Sequence, residues 1–352
     1  MGETIKGYKG FNKDMTCKGK QYKENTDYEE NETGICNAGV MHFCKNPWDV
    51  LNYYPMVNEE GEISEFAEVE AKGNVYEKDD KSATTKLHIG AKLGLKGFVK
   101  ACVDFTVEKT KYSCDTDLPN KDEADYAQIG SSGDYAQIGS SGDSAQIGSS
   151  GYSAQIGSSG DYAQIGSSGY SAQIGSSGDS AKIGSSGDSA KIGSSGDYAK
   201  IGSSGDYAQI GSSGYSAQIG SSGYSAQIGS SGDYAQIGSS SDYAQIGSSG
   251  YSAQIGSSGD YAKIGSSGDS AQIISEGKNS VVMAAGYDSI AKAKIGSWIT
   301  LAEWVKTDKK NEKGYIIWSP KCVKTEYVDG DRIKEDTFYK LKNGEFVEVS
   351  EY

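Results

Sequence analysis

From Asp125 to Gly277 the chain keeps one hydrophobic rhythm. Ile falls at every ninth residue from Ile129 to Ile273, and Ala falls two residues before it from Ala127 to Ala271. The phase never slips across seventeen copies of a unit of the form Asp-Tyr-Ala-Gln-Ile-Gly-Ser-Ser-Gly. Residues two apart share a face of a strand, so Ala and Ile point together into an interior. The remainder, Gly-Ser-Ser-Gly, supplies the permissive backbone of a corner. Each unit therefore predicts one short strand and one turn. Helix fails, because two Gly per unit cost about 1 kcal/mol each against Ala. A flexible linker has no use for so regular an aliphatic residue. Repetition at this period predicts stacked units that share one core. One Ile and one Ala per side fill a thin slab better than a triangular prism. The expected fold is a mainly β chain built on a parallel β-solenoid. It is a two-sided β-roll of about eighteen residues per coil, about eight coils and on the order of 40 Å long.

The flanks carry weaker patterns. Residues 1–114 predict an α+β head. Asn46-Pro47-Trp48-Asp49 starts a helix carrying Trp48, Leu51 and Tyr54 and ending at Pro55. Glu65 to Ala71 and Thr84 to Ile89 alternate as strands, and Leu95, Phe98, Val99, Cys102 and Val103 mark an amphipathic helix. That helix is expected to pack on the head's sheet or to cover the first coil. Residues 115–124 form an acidic linker. Residues 278–296 read as two degenerate, capping copies, and residues 297–352 as a β-rich tail with turns at Asp329-Gly330 and Asn343-Gly344. Trp298, Trp304, Trp318, Phe338 and Phe346 are its expected core.

Composition narrows the partners. A net charge of −14 argues against nucleic acid. No apolar run is long enough for a membrane span, and the first fifteen residues lack a signal peptide's apolar core, so a host-cell cytoplasmic or virion-associated setting is expected. The six cysteines are too scattered for a disulfide framework and are expected to be reduced. No cofactor-binding motif is present, so no cofactor is expected.

Candidate chemistry lies in three places. Cys17, Cys36, His42 and Cys44 carry donors suited to zinc, but their spacing is not a standard knuckle, and buried free Cys is the simpler reading. On the repeat, Tyr126, Tyr135, Tyr162, Tyr198, Tyr207, Tyr234, Tyr243 and Tyr261 occupy the second place and form an expected binding face with Gln, Ser and Asp. That mixture suits a protein or carbohydrate partner. The first place is Asp in twelve copies and Tyr in five, so a continuous calcium ladder fails. Lys182, Lys191, Lys200 and Lys263 replace Gln at the fourth place and are expected to relieve repulsion between stacked Asp. The copies carry a net of −8, against about 24 charges on duplex DNA of similar length, so an acidic-rod inhibitor of a nucleic-acid-binding host protein is a weak alternative. Irregular Tyr/Ser alternation argues against an ice-binding face.

Three resemblances add to this. Tyr8 to Asp14, His42 to Pro47, Tyr53-Tyr54 and the repeat resemble a family of uncharacterised phage and prophage proteins, which implies a structural or binding role without established activity. Tyr8-Lys9-Gly10, His42-Phe43, Tyr53-Tyr54 and Phe66 to Gly73 are similar in layout to small ADP-ribosyltransferases of the rifampicin-modifying type. That resemblance implies an NAD cleft with Glu68 or Glu70 as the acid and Tyr8, His42 and Tyr54 lining it. Lys9 stands where those enzymes have His. Asn279 to Gly286 and Ser289 to Ala291 resemble the head repeats of trimeric autotransporter adhesins, which implies a roll able to form a homo-oligomer. The leading expectation is non-enzymatic: a rigid rod joining a head to a β-rich tail.

Overall fold

The computed structural model describes residues 4–30, 40–58, 62–78, 80–109 and 126–350. The acidic linker at 115–124, Cys36 and Cys114 lie outside the described residues. Two sheets of the roll dominate the chain. Nineteen four-residue strands, from β10 (Gln128–Ser131) to β28 (Ile290–Ala293), alternate between them. Every second strand pairs in parallel, with Gln146 on Gln164 and Ile147 on Ile165, so one coil is eighteen residues. The Ile and Ala places from both sheets form one core. Residues 278–296 complete regular coils, with Val282 beneath Ile264. They and the start of the tail bring the roll to about ten turns, roughly 48 Å, longer than the repeat alone implied.

The strand does not sit where the pattern placed it. It spans places four to seven, Gln-Ile-Gly-Ser, so the first Gly and first Ser of the supposed corner belong to the sheet. Ser at place seven is consequently inward and buried. The corner is Ser-Gly-Asp-Tyr. Where a corner has a left-handed residue it is the second-place Tyr or Ser, as at Tyr162 (φ 58°) and Tyr198 (φ 56°), and not the Gly. The ninth-place Gly serves close stacking instead. A Cβ on Gly169 would collide with the carbonyl of Gly151 one coil below. The first-place Asp also serves stacking. Asp143 Oδ1 accepts from the Asp161 amide at 3.0 Å, and Asp161 Oδ1 accepts from the Asp179 amide at 2.8 Å, one coil apart in each case. Asp here is a cap handed from coil to coil.

The tail is not a separate unit. A long hairpin of β29 (Trp298–Lys310) and β30 (Ile316–Tyr327) extends one sheet, and a short hairpin of β31 (Phe338–Lys342) and β32 (Glu345–Val349) extends the other. Ile299, Leu301, Tyr339 and Leu341 continue the roll's core. Trp298, expected inside, is 47% exposed. Asn343-Gly344 makes the expected hairpin turn, whereas Asp329 accepts from the amides of Asp331, Arg332 and Ile333 in a wider connection.

The head has a four-stranded antiparallel sheet of β1 (Ile5–Phe11), β6 (Glu65–Ala71), β9 (Lys86–Lys92) and β4 (Thr26–Glu29), in that order. Beside it lies a smaller sheet of β5 (Met41–Phe43), β8 (Lys81–Thr84) and β7 (Val75–Lys78), and β2 (Thr16–Cys17) pairs with β3 (Lys20–Gln21). The short helix α1 (Pro47–Val50) starts as expected, with Asn46 Oδ1 accepting from the Trp48 amide. It ends at Val50, a turn earlier than the sequence suggests. Helix α2 (Gly94–Lys109) is sandwiched: Phe98 stacks on Phe66 at 3.8 Å on the sheet side, while its other side meets the roll. The head therefore lies along one broad face of the roll. It does not cover the first coil.

Candidate functional site

Docking of the head splits two chemically equal faces. On the covered face, the sixth-place glycines receive the head's side chains. A Cβ on Gly184 would stand 3.0 Å from both Trp48 and Val103. One on Gly202 would stand 2.9 Å from Val99, and one on Gly220 2.7 Å from the Met56 sulfur. Leu95, Val99 and Val103 are four apart and fall on successive covered strands; each step rises about 6 Å along the helix, and an incline of the helix to the stack brings it into step with the strand spacing of about 4.8 Å. Lysines close this interface. Lys182 Nζ lies 3.2 Å from Asp49, and Lys200 Nζ donates to the Leu51 carbonyl at 3.0 Å and to Asn52 Oδ1 at 3.1 Å. Burial, reinforced by neighbouring Lys182, lowers the Lys200 pKa to about 8. These two lysines hold the head rather than balance stacked Asp. Lys13 pairs with Glu276 farther along the roll.

Among the described residues the opposite face is open. Gly139, Gly157, Gly175, Gly193, Gly211, Gly229 and Gly247 have no described atom within 4 Å of where a Cβ would stand. With the fourth-place Gln and Lys residues they line a groove of about 1460 Å³ that runs the length of the sheet and ends at Val281 and Met283. Lys191 and Lys263 stand on it exposed, without an ion pair among the described residues.

The tyrosines do not form one face. Those of alternate copies leave at opposite edges of the slab, so Tyr126, Tyr162, Tyr198 and Tyr234 lie on one edge and Tyr135, Tyr207, Tyr243 and Tyr261 on the other. First-place tyrosines complete the ladders. Tyr198, Tyr215, Tyr234 and Tyr251 follow one another at 5.8, 5.2 and 5.5 Å on the first edge, and Tyr224, Tyr243 and Tyr261 at 5.1 Å on the second. This accounts for the interchange of Tyr between two places: either feeds the same ladder.

A cleft of about 520 Å³ opens in the head. Tyr8, His42 and Tyr54 line it, together with Cys17, Cys44, Tyr22, Lys9, Lys18, Lys20 and Lys81. Glu68 and Glu70 do not. Glu68 is exposed in β6 opposite Tyr8, and Glu70 faces Lys6 and His88 in register. Among the described residues the carboxylate at the cleft is Glu30, ion-paired with Lys20. Lys9 is 5% exposed and donates to the His42 carbonyl at 2.8 Å, and burial lowers its pKa. Its sequence signal was its phase: Lys9 shares a strand face with buried Phe11. Of the zinc candidates, Cys17, His42 and Cys44 reach the same cleft, yet no group of three metal-binding side chains forms among the described residues. Burial pushes the Cys44 thiol up to about 12, which disfavours a thiolate ligand.

Residues 5–101, which span the head as far as the middle of α2, match the family model of a domain of unknown function, DUF7666. No curated protein and no solved structure matches the chain. Among the described residues no helix is long and apolar enough to cross a membrane.

Proposed function

We propose that this chain is a non-enzymatic binding protein, a rigid roll whose uncovered face is a platform for a protein partner. One observation carries this reading. Two faces of the same sequence differ only in occupancy, and the glycine ladder that seats the head on one is bare on the other. The resemblance to phage and prophage proteins favours a structural or binding role of this kind in a virion or its host. The test compares proteins that co-purify with the full chain and with a Gly193→Gln/Gly211→Gln/Gly229→Gln variant. The side chains of that variant enter open space, so the fold is retained. The reading expects a partner lost from the variant alone; identical sets from both would refute it.

A second reading attaches to the head. Lys9 is buried, its ammonium on the His42 carbonyl and over the Phe11 and Tyr22 rings, with no carboxylate paired to it among the described residues, and three further lysines line the same cleft. Buried charges are ordinarily paired. A small anionic ligand would pair it, and NAD is the one that the transferase resemblance implies. Calorimetric titration of NAD into the wild type and Lys9→Met tests this. Heat of binding in the first and none in the second supports it, and no heat in either rejects it.

A further inference from the structure

The open groove has a stated shape and charge, and both are copied on the face whose occupant is known. There the occupant is a helix. Leu95, Val99 and Val103 of α2 drop onto Gly220, Gly202 and Gly184, one side chain per covered strand. Fourth-place lysines beside that row meet Asp49, the Leu51 carbonyl and Asn52. On the open face seven glycines, from Gly139 to Gly247, have no described residue above them. Lys191 and Lys263 stand beside it four strand spacings apart, about 19 Å. No acidic residue occupies the outward places of this sheet from Gln137 to Lys263, although the whole chain carries −14.

We infer that the open groove receives an amphipathic helix of a partner protein, with apolar side chains every third or fourth residue seated on the glycines and carboxylates placed to meet Lys191 and Lys263. This rests on the open face being a binding platform, and specifies what the platform takes. Charge decides against a second copy of this chain laid face to face. That arrangement would bring four lysines into one interface with no acid from either groove, and like charges brought together there are destabilising. A helix is favoured over an added strand because the groove lies across the face of the sheet. Backbone amides and carbonyls there are already used in the parallel pairing between coils. Helical side chains four apart rise about 6 Å, so a helix inclined by roughly 37° to the stack keeps step with strands about 4.8 Å apart.

The probe is a lactam-stapled helical peptide of residues 94–109, with Cys102→Ser, since that helix already fits the equivalent groove. Binding to the full chain is read by fluorescence anisotropy. The expected result is saturable binding that weakens at least tenfold in the Gly193→Gln/Gly211→Gln/Gly229→Gln variant. A peptide with an added Glu at each end of the apolar stripe should bind several-fold tighter, and Lys191→Gln/Lys263→Gln should abolish that gain. Absence of binding, or binding indifferent to the glycine variant, overturns the helix. If the peptide fails while co-purification of a partner still depends on the three glycines, the platform stands and the helix falls. If both fail, both fall.

Discussion

The sixth-place glycine has two different reasons to exist on the two faces, and single substitutions separate them. On the covered face there is no room: Gly202→Val forces its side chain into Val99 and Met56. Overpacking of this kind costs about 1–3 kcal/mol. On the open face Gly211→Val meets nothing and replaces the residue least suited to a strand, so it is expected to stabilise by about 0.5–1 kcal/mol. Urea denaturation of the two variants should give changes of opposite sign. A second pair lies inside the slab. Ser176 Oγ is buried without a hydrogen-bond partner, whereas Ser185 Oγ accepts from the Gly187 amide at 3.3 Å. Ser176→Ala should therefore stabilise, and Ser185→Ala should destabilise by about 0.5–1 kcal/mol. Both are measurable by the same unfolding experiment.

At the scale of elements, the junction between α2, the loop after α1 and the covered sheet contains the molecule's clearest pH dependence. Lys200 faces Lys182, Asp49, Asn52 and the Leu51 carbonyl. Its pKa is lowered from 10.5 to about 8 on folding. Below pH 8 it is protonated in both states, and burying that charge costs up to about 3 kcal/mol. As pH rises from 8 to 10.5 the folded protein loses the proton first, so this contribution makes the protein more stable across that window. Lys200→Met removes the titration. The difference in unfolding free energy between wild type and variant should shift in favour of the wild type between pH 7.5 and pH 10. A difference that stays constant would show that Lys200 is solvated and that the interface is looser than described.

For the whole molecule, the roll was legible and its occupancy was not. Unbroken Ile and Ala phase forces an inward face, and a single pair per side leaves room only for a thin slab, so the two-sided roll follows from residue volumes. The position of the strand was misread because Gly and Ser normally mark turns. Here the sixth-place Gly stays in the strand on both faces, Gly202 under the head and Gly211 open, because the parallel pairing between coils runs through it. What nothing local encodes is the covering neighbour: Lys182 and Lys191 sit in identical repeat units, yet one is half-buried against Asp49 and the other is exposed. In the head, Tyr8, His42 and Tyr54 line one cleft, while Glu68 and Glu70 stay outside it. Lys9 was seen only as a departure from a motif, although its place in phase with Phe11 was already a sign of burial.

One face covered by the chain's own head and the other left free is the claim on which both the platform and its proposed helix depend. The fourth-place lysines report on it directly, because they occupy equivalent positions on the two sheets. Brief acetylation of the native protein at pH 7.5, read by peptide mass spectrometry, should modify Lys191 and Lys263 rapidly and Lys182, against Asp49, at least tenfold more slowly, with the three rates converging in denaturant. Lys200 is left out of the comparison because its lowered pKa raises its reactivity as burial lowers its access. Equal native rates at Lys182, Lys191 and Lys263 would contradict the account.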